Sequence, residues 1–259
     1  MALCVVGELL VNLRSDSFTF PDAVIRVWQY RERVEWEAAD VFSRLARSIG
    51  FLRGEDDTVS KLAKIAASDE LRHASLCRAI LQEGGMPIEV SPRHFEASLG
   101  PRHLNESDRL LYGCVALGCV TESLSTALLI EMRRKAGPKI IQETIHEILE
   151  DEILHSRIGW AELARAAEER DVSWLSEYIP GMIVDAIATD VAPNLSSEDG
   201  GTDMSAWGIL HAREATRIMR ETFEGVIMPG LDRFGVKVIG QIPTVAVMPP
   251  SSVMMDPFM

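Results

Sequence analysis

Two strings in this chain, Asp69-Glu70-Leu71-Arg72-His73 and Asp151-Glu152-Ile153-Leu154-His155, place ionisable pairs on the apolar face of long amphipathic stretches. Residues three apart share one face of a helix, so Glu70 with His73, and Glu152 with His155, each aim at a common point. Glu70 and His73 continue the stripe of Leu62, Ala66, Cys77 and Ile80; Glu152 and His155 continue that of Ile141, Ile145, Ile148, Gly159 and Leu163. Charged groups on a core stripe are costly unless they are paired or bound to a metal. A fold that accommodates both strings must bring the two stripes together around a cation.

The punctuation of the chain supplies the helices for this. Pro21 and Asp22 open a 3.6-period pattern with Trp28, Ala38, Phe42, Leu45 and Ile49 on one stripe, stopped by Gly50 and Gly54. A second helix spans about 58 to 83 and ends at Gly84, Gly85 and Pro87. Residues 86 to 106 hold three prolines and no period, and read as a long connection. A third helix starts with Asn105 or Ser107 as its cap and ends at Gly137 and Pro138. A fourth begins at Pro138 and runs to about Arg170. Each is roughly 38 to 48 Å long at 1.5 Å per residue, which is bundle length. Short links within the first and second pairs, and a long crossover between helices 2 and 3, are the connectivity of ferritin-like bundles. The fold expectation is therefore all-α, a four-helix bundle over 22–170 within a single domain. Accessory helices follow at about 173 to 190, kinked at Pro180, and about 203 to 228 before Pro229; a Met- and Pro-rich arm ends the chain. Alternating β-branched residues are confined to 1–13 and 236–248.

The remaining two bundle helices should each offer one inward carboxylate. On the third helix Glu122 shares a face with Leu111, Val115, Gly118, Ser125, Leu129 and Met132, whereas Glu131 sits toward its polar end. On the first helix two residues compete. Glu35 lies with Trp28, Ala38 and Phe42, and Glu37 with Val27, Val34 and Val41; Glu35 is preferred, and spacing alone does not settle it. Glu143 and His146 repeat the Glu-x-x-His spacing, but nine residues before Glu152 they fall on the opposite side, with Glu147, Glu150 and Arg157, and read as surface. His94, His103, His211 and Glu214 read as solvated, and Met248, Met254 and Met255 as tail packing.

Composition excludes other classes. Lys and Arg total 26 against 39 Asp and Glu, a net charge of −13 that repels phosphate backbones, so nucleic acid is not an expected partner. The uncharged apolar run from 110 to 121 is shorter than the roughly 18 to 20 residues of a membrane span, so a membrane is not expected either. Met1 to Val6 lack the basic start of a secretory signal. Cys4, Cys77, Cys114 and Cys119 show no paired metal spacing, and reduced thiols in a cytoplasmic protein are the simplest reading.

These residues carry a resemblance. The four helices resemble the ferritin-like di-iron carboxylate superfamily, and the two strings are most similar to those of hydroxylase subunits of bacterial multicomponent monooxygenases of the methane monooxygenase type. The resemblance covers 22–170 of a chain shorter than those hydroxylases, so their substrates and partner proteins do not carry over. It implies that Glu35, Glu70 and His73 hold one iron and Glu122, Glu152 and His155 the other, with the two motif glutamates bridging. It implies that Asp69 accepts a hydrogen bond from His155, and Asp151 one from His73. It also gives Cys77, one turn after the first His, and Thr126, one turn after Glu122, a place in a reaction pocket; ordinary small-residue packing is the alternative for both.

Four carboxylates and two imidazoles suit two divalent first-row metals, iron by resemblance, with a manganese and iron pair equally compatible with the ligands. The expected function is an oxygenase or oxidase that activates dioxygen against a small organic substrate, fed by an electron-donor protein or reductant. Ala38, Gly118 and Ser125, small residues on inward stripes, suggest a substrate cavity. Ferritin- or rubrerythrin-like iron oxidation or peroxide reduction, and a metal-binding bundle without turnover, are the alternatives. A homodimer is expected from the superfamily.

Overall fold

A computed structural model describes residues 20–86, 99–191 and 203–238. All secondary structure among these residues is helical, and the fold class is all-α. The alternating segment 1–13, most of 236–248, Cys4, His94, the Met-rich tail and the middle of the long connection lie outside the described residues.

Helix α1 (Asp22–Arg53) and helix α2 (Thr58–Glu83) form an antiparallel hairpin. Asp57 makes the turn by accepting hydrogen bonds from the amides of Val59 and Ser60, both at 3.0 Å. The first helix runs four residues beyond Ile49, where the sequence suggested a stop. Gly50 stays helical, with Ser60 packed 3.2 Å from where a Cβ would stand, and Gly54 at φ +104° ends the helix. On the α2 stripe Ala66, Cys77 and Ile80 are buried as expected and Leu62 is exposed; Ala63 and Ala67 are buried beside Ala66, and these small side chains pack against Ala46 and Ile49 of α1.

Helix α3 (Glu106–Lys135) begins at Asn105, whose side chain accepts from the Asp108 amide at 2.9 Å. It widens into a π-helical stretch, Val115–Thr121, immediately before Glu122. Its partner α4 (Lys139–Glu169) follows the 136–138 link, with Pro138 at the cap rather than in the first turn. The two helices meet backbone to backbone. A Cβ on Gly118 would lie 2.6 Å from the Gly159 amide nitrogen, and one on Gly159 would lie 2.4 Å from the Cys114 carbonyl oxygen. Gly118 therefore serves close helix contact, not the cavity its size suggested. By length and composition α3 is apolar enough to cross a membrane, which the uncharged run alone did not reveal. Of its most apolar window, 61% is buried inside the protein, so its hydropathy is spent on packing.

Helix α2 also packs on α4, and α1 on the start of α3, so the four long helices enclose one interior. The C-terminal elements cover it. A 3-10 turn (Ser173–Glu177) leads into α5 (Ile179–Ala186), where Pro180 sits in the first turn and starts the helix instead of kinking it. Helix α6 (Ala212–Thr222) packs along α3 and continues through a π turn, Phe223–Ile227, into α7 (Met228–Asp232). Pro229 thus falls inside a helical run that the sequence ended before it; it occupies the first turn after the π segment, where its missing N–H costs little. Between α5 and α6, Gly208 turns the chain at φ +71°, a left-handed conformation that favours glycine, and packs against Ile145 and Trp28.

Candidate metal centre

Six side chains converge at the middle of the four long helices. Ligand-capable atoms of Glu35, Glu70, His73 and Glu152 lie within 4.8 Å of one another, and so do those of Glu70, Glu122, Glu152 and His155. Glu70 and Glu152 belong to both groups and stand between them. Glu70, His73, Glu122, Glu152 and His155 are buried, and the Glu35 side chain is 15% exposed.

The imidazoles are oriented from behind. His73 Nε2 lies 2.9 Å from Asp151 Oδ2, and His155 Nε2 lies 3.4 Å from Asp69 Oδ2. With the Nε2–H groups donating to these carboxylates, both Nδ1 atoms face the glutamates. His73 Nδ1 is 3.1 Å from Glu70, 3.5 Å from Glu152 and 3.7 Å from Glu35. His155 Nδ1 is 3.0 Å from Glu70 and 3.4 Å from Glu152. Arg72, named in the motif without a role, pairs with Asp151, Asp69 and Glu147, and so ties both imidazole-orienting aspartates to one guanidinium.

The donors fit a pair of cations. Among the described residues no Lys or Arg forms an ion pair with Glu35, Glu70, Glu122 or Glu152. Glu70 Oε1, Glu152 Oε2 and His155 Nδ1 are buried without a hydrogen-bond partner, although the first and last are 3.0 Å apart. Buried polar atoms left unpartnered at such proximity are expected where a missing ion would take their lone pairs. Glu162, one face along on the same α4, shows the contrast: it is equally buried, but Arg165 and Arg53 neutralise it, and Arg165 continues to Asp57 at 2.6 Å.

Protonation without metal tells the same story. Burial disfavours charge on His73, but hydrogen bonds and attraction from Glu35 and Glu70 outweigh it and push the imidazole up to about 12. His155 behaves likewise beside Glu152 and Glu70, reaching about 10. Burial, aided by Glu70 and opposed by His73, raises Glu35 to about 8; burial and repulsion from Glu152 hold Glu122 well above the carboxylate range. Burial works against ionised Glu70, yet the proximity and positive charge of His155 and His73 keep it at about 2. Protons stand in where positive charge is required.

Glu37 is 36% exposed and pairs with Arg33 at 3.5 Å, outside the cluster. Glu131 pairs with Arg134 and Lys135, and Glu214 with Lys135. Glu143 and His146 face outward, toward Lys139 and Glu150 respectively. His103 stacks on Tyr178 at the surface, and exposed His211 accepts from the Arg213 amide at the start of α6. Cys77 is fully buried one turn after His73, and burial together with the Glu35 charge raises its thiol well above its usual value, so it stays protonated. Cys77, Cys114 and Cys119 are free thiols. The Thr126 hydroxyl oxygen is buried with no hydrogen-bond partner. Sequence patterning gave no sign of Arg31, a buried guanidinium one turn before Glu35 on α1; an arginine among apolar neighbours has no spacing signature.

Comparison with protein-family models, with curated proteins and with solved structures returned no match to this chain.

Proposed function

We propose that the chain is a ferritin-like di-iron protein that uses dioxygen to oxidise a small organic molecule. The two overlapping ligand groups that share Glu70 and Glu152, buried and without Lys or Arg counter-ions, carry the reading. In this reading α1 to α4 are the four-helix bundle, with the crossover between α2 and α3. Glu35, Glu70 and His73 hold one metal and Glu122, Glu152 and His155 the other. Four carboxylate charges against two divalent cations leave the centre near neutral, which makes its burial affordable. Iron is the metal the resemblance implies; a manganese and iron pair suits the same donors.

Two reduced metals held here would supply electrons to dioxygen, and the chain's own residues arrange the rest. Asp151 and Asp69 hold the protons of His73 and His155 on Nε2, leaving Nδ1 lone pairs for the metals. Arg72 pairs with the two aspartates and holds them in place. Phe42, 5.3 Å from the His155 ring between centroids, and the apolar residues behind it exclude water. Cys77 offers a protonated thiol and Thr126 an unengaged hydroxyl beside Glu122, two groups able to hold or pass a proton near the metals. An external electron donor and a homodimeric assembly belong to the same proposal.

The test is anaerobic loading with ferrous iron followed by dioxygen, monitored by optical absorption and oxygen uptake. Stoichiometric consumption by a fixed complement of two irons, with rapid optical change, supports the reading. Progressive uptake of many irons per chain supports iron storage instead, and iron that does not react with dioxygen supports a structural site.

A further inference from the structure

Among the described residues, Arg31 is the buried arginine that forms no ion pair. It is 8% exposed, and its Nη1 is buried without a hydrogen-bond partner. Nη2 donates to the Gly208 carbonyl at 2.7 Å and touches Met132 Sδ at 3.4 Å, and the guanidinium carbon stands 4.5 Å from the Trp28 ring centroid. No ion pair among the described residues includes it. The neighbouring arginines differ: Arg78 is paired with Glu32, and Arg53 and Arg165 share Glu162. Burial lowers the Arg31 guanidinium to about 10, eased by Cys77 and Glu35, which leaves it charged at neutral pH.

The charge balance of the interior sets what is missing. On the di-metal reading, which this inference rests on, the two cations consume the charge of Glu35 and the other three glutamates. Arg31 is then a buried cation with no anion, an arrangement that is strongly unfavourable alone. We propose that Arg31 binds the carboxylate of the organic substrate, whose apolar body lies along Trp28, Cys77 and Met132 with its far end at the metals. One positive charge calls for one negative charge, which favours a carboxylate over a phosphate dianion, and a guanidinium matches carboxylate geometry. Arg31 precedes Glu35 by four residues on α1, a backbone rise of about 6 Å, so the guanidinium is carried by the same helix one turn from a metal ligand. The substrate class is therefore a small aromatic or aliphatic carboxylic acid.

Binding is measured by calorimetry on iron-loaded protein kept anaerobic, with benzoate and the straight-chain acids from acetate to dodecanoate, each against its neutral amide. At least one acid is expected to bind about tenfold or more tightly than its amide. Arg31→Gln should erase that preference with two metals retained, and Arg31→Lys should keep part of it. A clamp that only docks Gly208 would show no acid preference in any form. No preference in the native chain overturns the proposal, as does a preference that survives in Arg31→Gln, which would place the acid on the metals. If Arg31→Gln does not fold, the native comparison and Arg31→Lys decide. Elemental analysis of the same samples separates the two claims: two metals without acid preference contradicts Arg31 alone, and a chain without metal contradicts both.

Discussion

A buried carboxylate is a liability until something positive meets it, and this chain handles the problem in two ways within one helix. Glu162 is met by Arg165 and Arg53, whereas Glu152, ten residues earlier, meets only His73 and His155. The first arrangement is complete; the second could hold a metal. Glu152→Ala and His73→Ala are expected to lower bound metal from two ions per chain to one or none with helicity unchanged by circular dichroism, whereas Glu143→Ala and His146→Ala leave metal content as it is. Equal metal content in all four variants, by elemental analysis, would reject the ligand assignment. Removing Glu122 as Glu122→Leu should raise the midpoint of thermal unfolding of the metal-free protein, because it replaces a buried carboxyl, whose ionisation burial and Glu152 oppose, with an apolar side chain, while weakening metal binding. These residues were legible because glutamate and histidine three apart on an apolar stripe violate the pattern around them. Glu35 against Glu37 was not decided by pattern, since both stripes of α1 are partly apolar; packing against α2 places Glu35 3.7 Å from His73, while Glu37 pairs with Arg33. Arg31 breaks no period and left no trace at all.

At the level of elements, the glycines of α3 and α4 set how closely the site is closed. Gly118 and Gly159 leave no room for a methyl group, the contacts being with backbone atoms that no rotamer change can move aside. Gly159→Ala is expected to destabilise the protein by about 2 kcal/mol or more, despite alanine's better helix propensity, as the two helices separate. Denaturant unfolding measures this, and an unchanged or raised midpoint would contradict the close approach. The π stretch Val115–Thr121 lies in the same contact and delivers Glu122 to the interior from its end. Helix positions and their capping residues, Asp57 and Asn105, could be read from local chemistry. The π segments could not, because they answer to tertiary packing; nor could the path through Pro229, which the π turn before it allows.

For the whole molecule the metal changes how stability depends on pH. Without metal, His73 and His155 have folded-state values raised to about 12 and about 10, above the unfolded value near 6.5. The stabilisation from their protonated forms is complete below about pH 6.5 and is lost progressively as pH rises toward those folded values. Glu35, raised to about 8, adds loss in the same direction from about pH 4.5 upward, and Glu70, held at about 2, removes stability only as pH falls below its unfolded range. Metal-free protein should therefore be most stable in mildly acid solution. Metal-bound protein should show the reverse, since protons compete with metal for Nδ1 and the carboxylates. Thermal midpoints from pH 5 to 9 should diverge with rising pH between the two forms; parallel curves would mean that the imidazoles are not ligands.

The central claim is that six side chains from α1, α2, α3 and α4 hold two metal ions. An anaerobic titration of the metal-free protein with ferrous iron, followed by removal of loosely held metal and elemental analysis, tests it most directly. Saturation is expected at two tightly held irons per chain, reduced in Glu152→Ala. Saturation at none, or uptake that continues without a break past two, would contradict it.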